Sequence, residues 1–253
     1  MISDLLSLRA LVVSPEHDLR SAFREAAVSL SVPTEILDAN DAAAAGRLIA
    51  DSDVVYLDGT LPAEQLNQVV VAARSRARSS ARPPFTIHLA TGAGAVPFAA
   101  DALAGKPSRP EEAKWLLERS LRVRLPSNVL VVDDSSTMRS IVRKTLAATR
   151  FPLEVSEAGE GFAALNMVRG GDFQIVFLDY NMPDFNGLET LAEFNREQRR
   201  IGVVMMTSAE TPELADRARA LGAAFLKKPF FPADIETVLS GFYGLRALNA
   251  QRA

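Results

Sequence analysis

The chain has 253 residues, enough for one large or two modest domains, and its 48% apolar and 23% charged residues are those of an ordinary globular protein, not a disordered or coiled-coil one. The 28 Lys and Arg against 31 Asp and Glu give a net charge of −3 that is spread evenly, which excludes a basic nucleic-acid arm and an acidic tail. With no cysteine and only His17 and His88, disulfides, zinc fingers and thiol chemistry are excluded and histidine catalysis is disfavoured, leaving carboxylates, hydroxyls, Lys and Arg.

At the N-terminus, Asp4 stands where a secretory signal wants positive charge, and Arg9 interrupts the apolar run. No stretch approaches the ~18 uninterrupted apolar residues of a membrane span, so a cytoplasmic chain without membrane attachment is expected. Further along, the apolar runs recur. Leu11-Val12-Val13-Ser14-Pro15 resembles Leu130-Val131-Val132-Asp133-Asp134, Val54-Val55-Tyr56-Leu57-Asp58 resembles Ile175-Val176-Phe177-Leu178-Asp179, and Lys106-Pro107 resembles Lys228-Pro229. The offsets, 119 (14 to 133), 121 (58 to 179) and 122 (106 to 228), agree on one period that spans a whole domain. The seam is expected at Arg122 to Asn128, around Pro126-Ser127, giving domains at 1–124 and 125–253.

Within the second repeat, Val129 to Val132, Ile175 to Leu178 and Val203 to Met206 are unbroken apolar runs, as expected of parallel strands covered on both faces. Helical stripes lie between and after them, at Met138, Ile141, Val142 and Leu146 and at Ile235, Val238, Leu239 and Phe242. Strand-helix alternation predicts a doubly wound α/β domain with ligands at the carboxyl ends of the strands. The polar residues stand there: Asp133-Asp134, Asp179, Thr207-Ser208 and Lys228. Converging carboxylates repel unless a cation offsets them, and an all-oxygen set without His or Cys favours a hard ion, Mg²⁺ over Ca²⁺ where phosphate and water complete the shell. A carboxylate can itself take a phosphoryl group, with a metal, an ammonium and a hydroxyl holding its oxygens. Taken singly, Asp134 is equally a helix N-cap, Thr207 a loop hydroxyl, Lys228 a solvated charge and Phe225 a core residue.

Asp133-Asp134, Leu178-Asp179-Tyr180-Asn181-Met182-Pro183, Met206-Thr207-Ser208-Ala209 and Lys227-Lys228-Pro229-Phe230 together resemble the bacterial response-regulator receiver family, the CheY-like proteins. The resemblance implies two flavodoxin-like domains, each a five-stranded parallel sheet of order 2-1-3-4-5 flanked by helices. It implies a signalling protein, not an enzyme, with Asp179 accepting phosphate from a histidine kinase or phosphotransfer protein. Mg²⁺ would lie on Asp133, Asp134, Asp179 and the Asn181 carbonyl, with Thr207 and Lys228 on the phosphoryl oxygens. Phe225 stands at the switch aromatic, and Lys228-Pro229 at a bond that is often cis in the family. Output is expected through protein contact, with a downstream target or as a homodimer, and not through nucleic acid.

In the first repeat Asp58 matches the phosphoacceptor, Thr91 roughly the hydroxyl and Lys106 the lysine, but Ser14-Pro15 replaces the acidic pair. Thr91 to Lys106 spans 15 residues against 21 for Thr207 to Lys228, so the intervening helix and strand are expected to be remade. This domain reads as a pseudo-receiver, with Asp58 not efficiently phosphorylated. Trp115 is expected in the core or between domains. The arginines at 74, 76, 78 and 82 and at 196, 199 and 200 read as solvated helix ends, with a cyclic-dinucleotide surface as the alternative. A haloacid-dehalogenase-like phosphatase is the enzymatic alternative, but it needs a second acid where Ser135 stands.

Overall fold

The computed structural model describes residues 7–75, 82–90, 100–183, 185–197, 201–208 and 211–247. The chain forms two units, one running up to Arg124 and resuming at Ser240, the other from Leu125 to Leu239.

In the second unit, β6 (Ser127–Val132), α5 (Ser136–Ala147), β7 (Leu153–Ala158), α6 (Gly161–Gly170), β8 (Ile175–Asp179), α7 (Gly187–Arg196), β9 (Gly202–Thr207), α8 (Pro212–Ala220) and β10 (Ala224–Lys227) alternate and lead to α9 (Pro232–Phe242). The sheet order β10-β9-β8-β6-β7 is parallel throughout, the doubly wound 2-1-3-4-5 arrangement. The three apolar runs are the three central strands, and helices cover both faces, so every residue of β8 is buried. Val132, Val176, Leu178, Leu165, Leu191 and Phe194 belong to one core cluster. The helices start on local chemistry: Ser135 caps α5 by accepting from the Met138 N–H, and Asn186 and Glu189 form a reciprocal capping box on α7. Ser135, and not Asp134, is therefore the cap of α5.

The first unit repeats the order. β1 (Leu8–Val13), α1 (His17–Ala27), β2 (Thr34–Ala39), α2 (Ala42–Leu48), β3 (Val54–Asp58), α3 (Ala63–Ser75), β4 (Phe85–Ala90), β5 (Ala102–Gly105) and α4 (Pro110–Ser120) come in turn. Among the described residues no helix lies between β4 and β5. Two features depart from the sequence reading. Among the described residues this sheet has six strands, not five, in the order β11-β5-β4-β3-β1-β2, because β11 (Arg246–Ala247) pairs antiparallel along the outer edge of β5. Residues 240–247 belong to the first unit, whereas the expected boundary left them in the second. Tyr243, Leu245 and Ala247 are buried there, and no periodicity distinguishes such a segment from a continuing helix. No helix among the described residues is long and apolar enough to cross a membrane.

Candidate functional site

Register brings the polar strand ends of the second unit to one level. Val132 pairs with Leu178, Asp179 with Met206, and Lys227 with Thr207. Asp133, Asp179, Thr207 and Lys228 consequently line one edge of the sheet, where the strands stop and helices begin. Asp133, Asp179 and Thr207 are buried and Asp134 is exposed. One oxygen from each of Asp133, Asp134 and Asp179 lies within 4.8 Å of the others. The Lys228 ammonium donates to Asp133 Oδ2 at 2.6 Å and to Asp179 Oδ1 at 2.8 Å. The Lys228-Pro229 bond is cis.

Three carboxylates against one ammonium leave the cluster at −2. Burial pushes the Asp179 carboxyl above its ordinary range; Lys228 pulls it down, and Asp133 and Asp134 push it further up. Burial alone would lower the Lys228 ammonium, but its hydrogen bonds to Asp133 and Asp179 raise it above the usual lysine range. The site is short of positive charge, and its oxygen-only donors fit a hard divalent cation.

The loops around the cluster are held by the backbone. The Tyr180 N–H donates to the Met206 carbonyl at 2.9 Å and the Gly187 N–H to the Tyr180 carbonyl at 3.1 Å. A Cβ on Gly187 would run into the Asp179 carbonyl oxygen, so only glycine lets α7 begin so close to that strand end. Asn181 is exposed in this loop, while Tyr180 and Phe225 are half-buried against the core. Sequence reasoning missed Arg139, whose Nη1 donates to the Asp133 carbonyl at 2.8 Å while its Nε donates to Glu157 at 3.1 Å. The repeat held the signal: Arg20, 119 residues earlier, donates to the Ser14 carbonyl at 2.5 Å.

In the first unit Asp58 is fully buried at the corresponding strand end. Its partners differ. The Ser14 hydroxyl donates to it at 2.5 Å, the Thr60 N–H at 3.1 Å and the Lys106 ammonium at 3.1 Å. Burial pushes this carboxyl up, but the hydrogen bonds from Ser14, Thr60 and Lys106 outweigh it and hold it below the ordinary range. Glu16 reaches Lys106 at 2.7 Å, so two acids face one ammonium, leaving −1. Register also moves the hydroxyl match. Asp58 pairs with Leu89 as Asp179 pairs with Met206, and the Lys106 N–H donates to the Ala90 carbonyl as the Lys228 N–H donates to that of Thr207. Ala90, with no hydroxyl, occupies the place of Thr207; Thr91 lies outside the described residues. Of the arginine stretches, Arg196 pairs with Glu193 on α7, while Arg76, Arg78, Arg199 and Arg200 lie outside the described residues. Trp115 is 56% exposed on α4, with the Arg119 guanidinium 5.0 Å from its ring, and is not a core residue.

The response regulator receiver domain model matches residues 129–240. Over 118 residues the chain is 34% identical to the chemotaxis protein CheY-3 of Vibrio cholerae, covering 46% of this chain and 90% of that one. The chain belongs to the response-regulator receiver family. It is also 33% identical over 105 residues to the chemotaxis protein CheY of Pseudomonas aeruginosa, covering 40% of this chain and 84% of that one. A solved structure of a "probable two-component system response regulator/GGDEF domain protein" superposes with a TM-score of 0.54 at 22% identity, over 97% of this chain and 100% of that one. That likeness shows the fold alone and extends it across both units, while the receiver-family match falls on the second.

Proposed function

We propose that the second receiver accepts a phosphoryl group on Asp179 from the phosphohistidine of a kinase or phosphotransfer protein, and that the first is an inactive copy. The observation that carries this is the contrast in charge: −2 around Asp179, with three carboxylate oxygens within 4.8 Å, against −1 around Asp58. Asp133, Asp134, Asp179 and the Asn181 carbonyl would hold Mg²⁺, which when bound neutralises charge on the transferring group. An Asp179 Oδ forms the new P–O bond as the P–N bond of the donor breaks, and the electron pair returns to the imidazole nitrogen. Lys228 and the Thr207 hydroxyl hold the equatorial oxygens. Phe225, half-buried against the core, is the aromatic expected to follow Thr207 when phosphate arrives. The outcome is a changed protein-binding surface and not a released product.

The test is intact mass after incubation with acetyl phosphate, with and without Mg²⁺, on the parent chain and its Asp179→Asn and Asp58→Asn variants. One Mg²⁺-dependent phosphate lost only in Asp179→Asn is expected. A phosphate retained in Asp179→Asn and lost in Asp58→Asn would reverse the assignment.

A further inference from the structure

The receiver family match ends at residue 240, and at that place the chain passes, within α9, from the second unit to the first. Residues 240–247 form a built docking segment. The Phe242 carbonyl accepts from Arg119 Nη2 at 3.2 Å, and Tyr243, Leu245 and Ala247 are buried. Gly244 turns the chain at φ +71, and a Cβ there would stand 2.8 Å from Arg119 Nε. Arg246 and Ala247 then pair with Leu103 and Ala102 on the outer edge of β5. Beside this turn lies a groove of about 340 Å³ lined by Ala104, Lys106, Pro107, Glu111, Trp115 and Gly244.

We infer that residues 240–247 are a latch on the first receiver, and that phosphate on Asp179 governs its seating on the β5 edge and hence the shape of the Trp115 groove. The inference rests on the proposed phosphorylation of Asp179. The mechanical link is short. Lys228 divides its ammonium between Asp133 and Asp179, and a phosphoryl group on Asp179 competes for it. Four residues later α9 begins, with Ile235 and Leu239 fully buried, and its 11 residues form a stiff rod of about 17 Å that leads into the Gly244 turn. At the far end β11 has only two residues, so its pairing lies at the low-stability end of the fold, where a small bias changes occupancy. The occupant of the edge is thus the chain's own segment 240–247, seated in one state of the second receiver and released in the other.

Trp115, the single tryptophan, reports on the groove. The intact chain is treated with acetyl phosphate and Mg²⁺, with intact mass and Trp115 emission followed together. Release predicts a red shift and stronger acrylamide quenching in step with the mass increase, both lost in Asp179→Asn. Because the chain lacks cysteine, the double variant Ala102→Cys with Ala247→Cys can staple the latch across a paired position. When oxidised it should take the phosphate with no emission change, and reduction should restore the change. Phosphate without any change in Trp115, or the same change in the stapled form, overturns the latch while leaving phosphorylation standing. Absence of any adduct overturns the functional reading and the latch with it.

Discussion

Asp179 is buried, close to two other acids and offered one ammonium, so its ionised form is held in the fold at a cost. A divalent cation bound there would offset that cost. Mg²⁺ at ten times its dissociation constant should stabilise the second receiver by about 1.4 kcal/mol. The thermal midpoint should rise accordingly, and Asp134→Asn, at an exposed position, should abolish most of the rise. In the first unit His88 makes an opposite demand. Burial lowers its pKa, with the charge on Asp58 acting the other way, so the folded state resists a proton that the unfolded chain accepts near pH ~6.5. Its contribution is complete above that pH and is lost as pH falls below it. Asp58, held below the ordinary carboxylate range, loses its contribution only in a lower window. Denaturant midpoints tracked by Trp115 emission should therefore fall between about pH 7.5 and about 5.5, and His88→Gln should flatten that fall.

The strands decide which side chains meet, because pairing register fixes the level of each strand end. In the second unit it aligns Asp179, Thr207 and Lys228; in the first it puts Ala90 where the hydroxyl belongs, one residue before the threonine that the linear sequence suggests. Among the described residues the first site thus lacks the counterparts of Asp133, Asp134 and the Thr207 hydroxyl, while Asp58, Lys106 and the buttressing Arg20 remain in place. Restoring the three groups as Ser14→Asp, Pro15→Asp and Ala90→Thr in an Asp179→Asn background should return a Mg²⁺-dependent phosphate, on Asp58, by intact mass. If none appears, the remade segment between β4 and β5 is itself part of the defect. Helix faces were legible only in outline. Val142 and Leu146 of the α5 stripe are buried, but Ile141 is 48% exposed, so the apolar stripe is wider than the face the helix buries.

At the scale of the described chain there are two units of one fold, of which the second carries the full acid set and the first takes in segment 240–247. Burying a leucine contributes about 1.5–3 kcal/mol, so a chain ending at Leu239, which loses Leu245 and Tyr243 from the first unit, should unfold at a lower denaturant concentration when Trp115 is the probe. An unchanged Trp115-reported midpoint would show that the segment is no part of that fold. The sequence by itself determined the doubling, the doubly wound class and the acids at the strand ends, since apolar runs, the 119-to-122-residue offsets and polar residues just after the runs are local or strictly periodic signals. The tertiary structure alone decided that Ala90 replaces the hydroxyl, that Ser14 and Glu16 take over the partners of Asp58 and Lys106, that Arg139 braces the acidic loop, and that residues 246–247 extend the first sheet. Those outcomes depend on strand register and on contacts between residues far apart in the chain, which leave no periodicity to read.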